Sequence, residues 1–127
     1  MIRTIAGAAA AALAVALGPA AAARGAGNHT TRLVLSYLAD AGYAVAVKLH
    51  CDPARGGHPK PAQACATLQK VGGRPGRIRA ADTMCTMLYA PVTAQITGTW
   101  RGHEIAWTQS YGNTCEMNRA TGVLFQF

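Results

Sequence analysis

The stretch Thr83-Met84-Cys85-Thr86-Met87-Leu88-Tyr89-Ala90-Pro91-Val92 carries no charge and closes on a proline. Its residues are apolar, small or sulfur-bearing around Met87, and two readings fit them. One is a strand buried in a small domain. The other is an extended, exposed loop tethered at Cys85. Such a peptide gains main-chain hydrogen bonds by pairing edge-on with a strand of a partner, as a substrate does in a protease. One side chain then fills the partner's pocket, and Met87 is the candidate. Pattern alone leaves both readings open.

Downstream the pattern is plainer. Val92, Ala94, Ile96 and Trp100 fall on one face, and Thr93, Gln95, Thr97 and Thr99 on the other, which predicts a strand. Arg101-Gly102 turns it, and His103 to Ser110 returns with Ile105 and Trp107 inward, the two tryptophans anchoring the core. Asn113 reads as a helix cap, with Glu116 three residues on reaching back to it. Met117 to Arg119 then forms a short helix that Gly122 stops. Val123 to Phe127 reads as a closing strand with Val123, Phe125 and Phe127 on one face.

Upstream, Arg32 to Leu38 and Tyr43 to His50 alternate about the turn Asp40-Ala41-Gly42, which predicts a hairpin ending at Cys51. Asp52 to Pro61 is a Pro- and Gly-rich loop. Pro61 suits the first turn of a helix whose apolar face is Ala64, Cys65, Leu68 and Val71, and Gly72-Gly73 ends it. Arg74 to Asp82 shows no period and reads as an exposed loop. The sum is an α+β fold, a five-stranded antiparallel sheet with two helices packed on one side.

That fold begins after residue 23. Arg3, the apolar run Ile5 to Leu17, the break at Gly18-Pro19 and the small residues Ala21-Ala22-Ala23 form a secretory signal pattern. Residues 1–23 are thus expected to be removed, leaving one secreted domain over 24–127. The four cysteines, Cys51, Cys65, Cys85 and Cys115, all lie within it, which in an exported chain implies two disulfides among three pairings. Sequential pairing, Cys51–Cys65 and Cys85–Cys115, closes the shortest loops. A bridge over a loop of about 15 residues contributes on the order of 3 kcal/mol by restricting the unfolded chain.

The whole chain has 12 Lys and Arg against 5 Asp and Glu; without Arg3 the balance is 11 against 5, or +6. A basic excess suits an anionic partner or simple solubility. Nucleic acid is not indicated, because no aromatic residue interleaves with the loose cluster Arg74, Arg77 and Arg79. Catalytic chemistry is not indicated either. His103-Glu104 opens like a zinc-protease motif, but Trp107 holds the second histidine's place. Serines after residue 23 are Ser36 and Ser110 alone, in no nucleophile elbow. No cofactor or metal is expected, and no membrane attachment once the signal is gone.

Over nearly the whole of residues 24–127 the chain resembles the Streptomyces subtilisin inhibitor family. The likeness rests on Gly57-His58-Pro59, Ala64-Cys65-Ala66-Thr67-Leu68, Val71-Gly72-Gly73 and Met84 to Val92. It continues in Gly98-Thr99-Trp100-Arg101-Gly102, Asn113-Thr114-Cys115-Glu116-Met117-Asn118 and Val123 to Phe127. The resemblance implies a secreted, homodimeric inhibitor of subtilisin-like serine proteases, with sequential disulfides and a reactive bond between Met87 and Leu88. Met84, Cys85, Thr86, Tyr89 and Ala90 would complete the protease-binding loop. Cys115 would tie down Cys85, and Asn113 would brace the loop from behind.

Met87 is long and apolar, which suits the pocket of subtilisin, or of a chymotrypsin-like enzyme, rather than trypsin's acidic one. Thr86 stands where the family often has proline, and Ala90 where aspartate is common, which bears on loop stiffness and target choice. The reading from another class is a secreted basic domain that binds anionic surfaces or polymers without inhibiting.

Overall fold

The computed structural model describes residues 30–127; the expected signal segment lies outside the described residues. Strands β1 (Thr31–Ala39), β2 (Ala44–Cys51), β3 (Arg55–Gly56), β4 (Val92–Trp100) and β5 (His103–Tyr111) form one antiparallel sheet in the order β3-β2-β1-β4-β5. Helix α1 (Pro61–Lys70) packs over β2, and α2 (Thr114–Thr121) over β4 and β5.

The alternation read from the sequence decides which sheet face meets the helices. Leu33, Leu35, Leu49, Val92, Ala94, Ile96 and Trp100 are buried on the inner face, where Leu35 pairs with both Val47 and Ile96. The outer face carries Arg32, Val34, Leu38, Ala44, Ala46 and Lys48, all exposed. Burying the inner set contributes about 1.5–3 kcal/mol per large aliphatic side chain. Ala64 and Leu68 of α1, Met117 of α2, and Leu124 and Phe125 close the core from the other side.

The helix ends follow their sequence signals. Pro61 occupies the first position of α1, and Gly72 and Gly73, at φ 63° and 76°, unwind its end. Gly73 serves packing as well, because a Cβ there would run into the Trp100 indole. Helix α2 starts at Asn113, whose side chain accepts from the Glu116 amide at 2.8 Å, and stops at Gly122, φ 63°. The Glu116 carboxylate does not complete the expected reciprocal cap; it turns to Arg119, 3.2 Å away. Both disulfides pair sequentially, Cys51 with Cys65 and Cys85 with Cys115.

Two expectations change. Val123 to Phe127 is not a strand; a turn leads from α2 and buries the successive residues Leu124 and Phe125, which strand alternation forbids. Phe125 stacks on half-buried Trp107, and the hydroxyl of Tyr37 donates to the Phe127 carbonyl at 3.1 Å. The fifth strand is instead Arg55–Gly56, two residues inside the stretch read as loop, pairing with His50 and Leu49. Between Arg74 and Asp82, Pro75–Arg77 makes a 3₁₀ turn with Pro75 buried.

The C-terminal segment is clasped by His58, which is buried. Its Nδ1 accepts from the Lys60 amide at 2.9 Å, so the tautomer is fixed and Nε2–H donates toward the Val123 and Leu124 carbonyls, each 3.1 Å away. His58→Ala leaves these groups without partners and is expected to cost about 2–3 kcal/mol in urea unfolding. Gln126→Ala, which removes an exposed bond to the Gly122 carbonyl, serves as the control. Equal midpoints for the two variants would show that the clasp contributes nothing.

Candidate functional site

Residues 83 to 91 leave the core between the 3₁₀ turn and β4 and adopt no regular structure. Met84 is 98% exposed, Met87 100%, Leu88 68% and Tyr89 81%. A run this apolar that stays out of the core is the reverse of what burial favours, so something other than packing must hold it. The strand reading of this stretch therefore fails and the loop reading stands.

The holding groups come almost entirely from one segment, residues 112 to 119. The Arg119 carbonyl accepts from the Ala81 amide at 2.8 Å where the loop begins. The half-buried Cys85 is bonded to Cys115 in the first turn of α2. Nδ2 of Asn113 donates to the Thr86 carbonyl at 3.2 Å and to the Leu88 carbonyl at 2.8 Å. The Gly112 carbonyl accepts from Ala90 at 2.8 Å. A further tie comes from the β1–β2 turn, where the Asp40 amide donates to the Pro91 carbonyl at 3.0 Å.

Asn113 thus uses both ends of its carboxamide. Its oxygen caps α2 and its nitrogen holds the carbonyls on either side of Met87, all with the side chain buried. Of the residues singled out in the sequence, Met84, Cys85, Thr86, Met87, Leu88, Tyr89, Ala90, Asn113 and Cys115 meet at this one end of the sheet. Cys51 and Cys65 do not, and clip α1 to the end of β2 instead. Sequence reading missed Gly112, Asp40 and Arg119, which act through main-chain groups that leave no side-chain signal. It also missed the hollow of about 550 Å³ between the loop and the β1–β2 turn, lined by Asp40, Tyr43, Leu88, Tyr89, Pro91 and Asn113.

The arrangement defines a class, a disulfide-clamped module that presents an extended peptide while keeping its core closed. A family model described as subtilisin inhibitor-like matches residues 29–113, and the chain belongs to that family. Among its relatives is subtilisin inhibitor-like protein 1 of Streptomyces cacaoi, 40% identical over 93 residues, covering 70% of this chain and 84% of that protein. Trypsin inhibitor STI2 of Streptomyces longisporus is 42% identical over 84 residues, 65% of this chain and 58% of that one. Among solved structures, Streptomyces caespitosus sermetstatin in complex with Bacillus licheniformis subtilisin matches with a TM-score of 0.66 and 26% identity, over 77% of this chain and 99% of that one.

Asn113 can be tested with two substitutions. Asn113→Ser keeps an acceptor for the helix cap but cannot reach both loop carbonyls, so stability should stay within about 1 kcal/mol of the parent. Cleavage of the loop by a trace of added protease should nevertheless rise roughly tenfold or more, reflecting two lost hydrogen bonds. Asn113→Ala should show the same cleavage and additionally lose the cap. Parent-like resistance in both variants would mean that the disulfide alone braces the loop.

Proposed function

We propose that the protein is a secreted inhibitor of subtilisin-like serine proteases, with Met84 to Ala90 lying in the enzyme as a substrate and Met87–Leu88 as the reactive bond. The observation that carries this reading is the Met87 side chain, wholly exposed between two carbonyls that one buried amide holds. The relatives' names and the sermetstatin–subtilisin complex support the same activity.

The mechanism follows from rigidity. A loop already held in its bound shape loses little conformational freedom on docking, so contact energy appears as affinity. If the enzyme's serine attacks the Met87 carbonyl, cleavage yields a Met87 acyl group and a Leu88 amine. Thr86 and Leu88 both remain on Asn113, and Cys85 remains on Cys115. The two new ends therefore stay close, and resealing competes with release. Met87 fits an apolar pocket, so subtilisin-like enzymes come first and chymotrypsin-like enzymes second.

Secretion and removal of residues 1–23 belong to this reading, supported by two disulfides of a kind that persist in oxidising compartments. So does a homodimer through the outer sheet face, where Val34 is 39% and Leu38 53% exposed beside Ala44 and Ala46.

Titration of subtilisin with the oxidised protein should give stoichiometric inhibition, and Met87→Asp should weaken it by 100-fold or more, corresponding to about 3 kcal/mol at a central anchor. Equal inhibition by both would place the contact elsewhere. In sedimentation at micromolar concentration the parent should run as a dimer and Val34→Lys with Leu38→Glu as a monomer that still inhibits. A monomeric parent would remove the dimer.

A further inference from the structure

The end of the sheet away from the loop carries a concentration of positive charge that inhibition does not use. Arg32 of β1 pairs directly with His50 of β2, and His50 pairs directly with Arg55 of β3, so three basic side chains stand in a row on one face. Arg32 and Arg55 thus flank the same imidazole from the two neighbouring strands. The imidazole of His50 registers that field: burial, then Arg55, Arg32 and Lys48, push its pKa below the usual value.

A fourth cation is brought in by turn geometry. Arg101 and Gly102 join β4 to β5 with φ 46° and 84°, a left-handed pair that favours Asn or Gly at the first position. Arginine is held there nonetheless, its guanidinium 5.2 Å from the centre of the Trp100 ring and its amide bonded to the Thr31 hydroxyl at 3.0 Å. Arg32, His50, Asp52, Pro53, Arg55 and Arg101 line an open pocket of about 400 Å³. Asp52 is its single carboxylate, and it lies 3.5 Å from Arg101. With the imidazole neutral, three guanidinium groups against one carboxylate leave a net charge of +2.

We propose that this pocket binds phosphate groups of an extended anionic chain, a polyphosphate-type polymer, through Arg32, Arg55 and Arg101. Planar guanidinium forks match phosphate oxygens in pairs. Arg32 and Arg55 stand two strands apart at the backbone, one on each side of His50, and Arg101 joins them from the β4–β5 turn, so linked phosphates engage more of these guanidinium groups at once than a single phosphate does. A water takes about 30 Å³ of liquid, so the pocket accommodates a diphosphate unit with part of its hydration. A nucleic acid is the poorer fit, because Trp100 is buried and faces Arg101, leaving no ring on which bases could stack.

The consequence is spatial. Strand β1 runs nine residues from Thr31 at this end to Ala39 beside the loop, about 30 Å at the rise of an extended strand. A molecule held at a phosphate-rich surface by the pocket keeps residues 84 to 90 facing outward. The pocket sits at the margin of the outer face, next to Val34 and remote from Leu38 and Ala44. The proposal is independent of the inhibitor reading.

The test is binding of long-chain inorganic polyphosphate to the oxidised protein, with orthophosphate and a sulfated polysaccharide alongside. Polyphosphate should bind more tightly than orthophosphate, weaken steeply with added salt, and raise the melting temperature of the parent. Arg32→Gln with Arg55→Gln should lower its affinity about tenfold or more by removing two charge-assisted contacts, and abolish the thermal shift. Without polyphosphate this pair should melt close to the parent, since both side chains are exposed. Arg77→Gln with Arg79→Gln removes equal charge elsewhere and should bind almost as the parent does. Three results would overturn the proposal: no polyphosphate binding, equal losses in the two pairs, or equally tight binding of the sulfated chain.

Discussion

The carboxamide of Asn113 is the point on which the two halves of this molecule depend. An exposed apolar loop has no packing energy to hold it, and a helix start leaves amides that need acceptors. One buried side chain meets both needs, accepting from Glu116 and donating to Thr86 and Leu88. The same first turn of α2 carries Cys115, so the covalent anchor and the hydrogen-bonded brace leave the core at one place. Any force on the loop is thereby passed to a helix that is itself fixed by Met117 and Thr121 in the core.

That junction works because the rest of the fold gives α2 a rigid seat. The inner sheet face is continuous from Leu49 through Leu33 and Leu35 to Ile96 and Trp100, and Leu124 and Phe125 seal its open side. His58 ties the loop before α1 to those last residues, and Cys51–Cys65 ties α1 to the sheet. The small core is thus closed at several points by specific bonds as well as by apolar area. The long axis of β1 then separates two chemically different ends, one apolar and extended, the other basic.

The sequence was legible where local chemistry and burial agree. Val92, Ala94, Ile96 and Trp100 alternate and are buried on one face. Asn113, Gly122 and Pro61 sit at the helix ends their chemistry suits. It misled where a short segment answers to the tertiary environment. Val123, Phe125 and Phe127 alternate like a strand, yet no described strand pairs with them; His58 donates to the Val123 and Leu124 carbonyls and Tyr37 to that of Phe127 instead. Arg55–Gly56 carries no strand pattern and pairs because the turn after Cys51 folds it back on β2.

The site shows the same division. Composition marked residues 83 to 92 as unusual, and the cysteine count implied that Cys85 was tethered, but a buried strand and an exposed loop share that composition. By itself the sequence determined the periods of the four long strands and the two helices, the capping residues Asn113 and Gly122, and an apolar Met87 among uncharged neighbours, because each depends on residues within a few positions of one another. Only the tertiary structure decided that Met87 faces solvent and that Asn113 reaches across 25 residues to the Leu88 carbonyl. The row Arg32, His50 and Arg55 was likewise set by strand pairing. Those features depend on which distant segments the core brings together, and no local pattern records that choice.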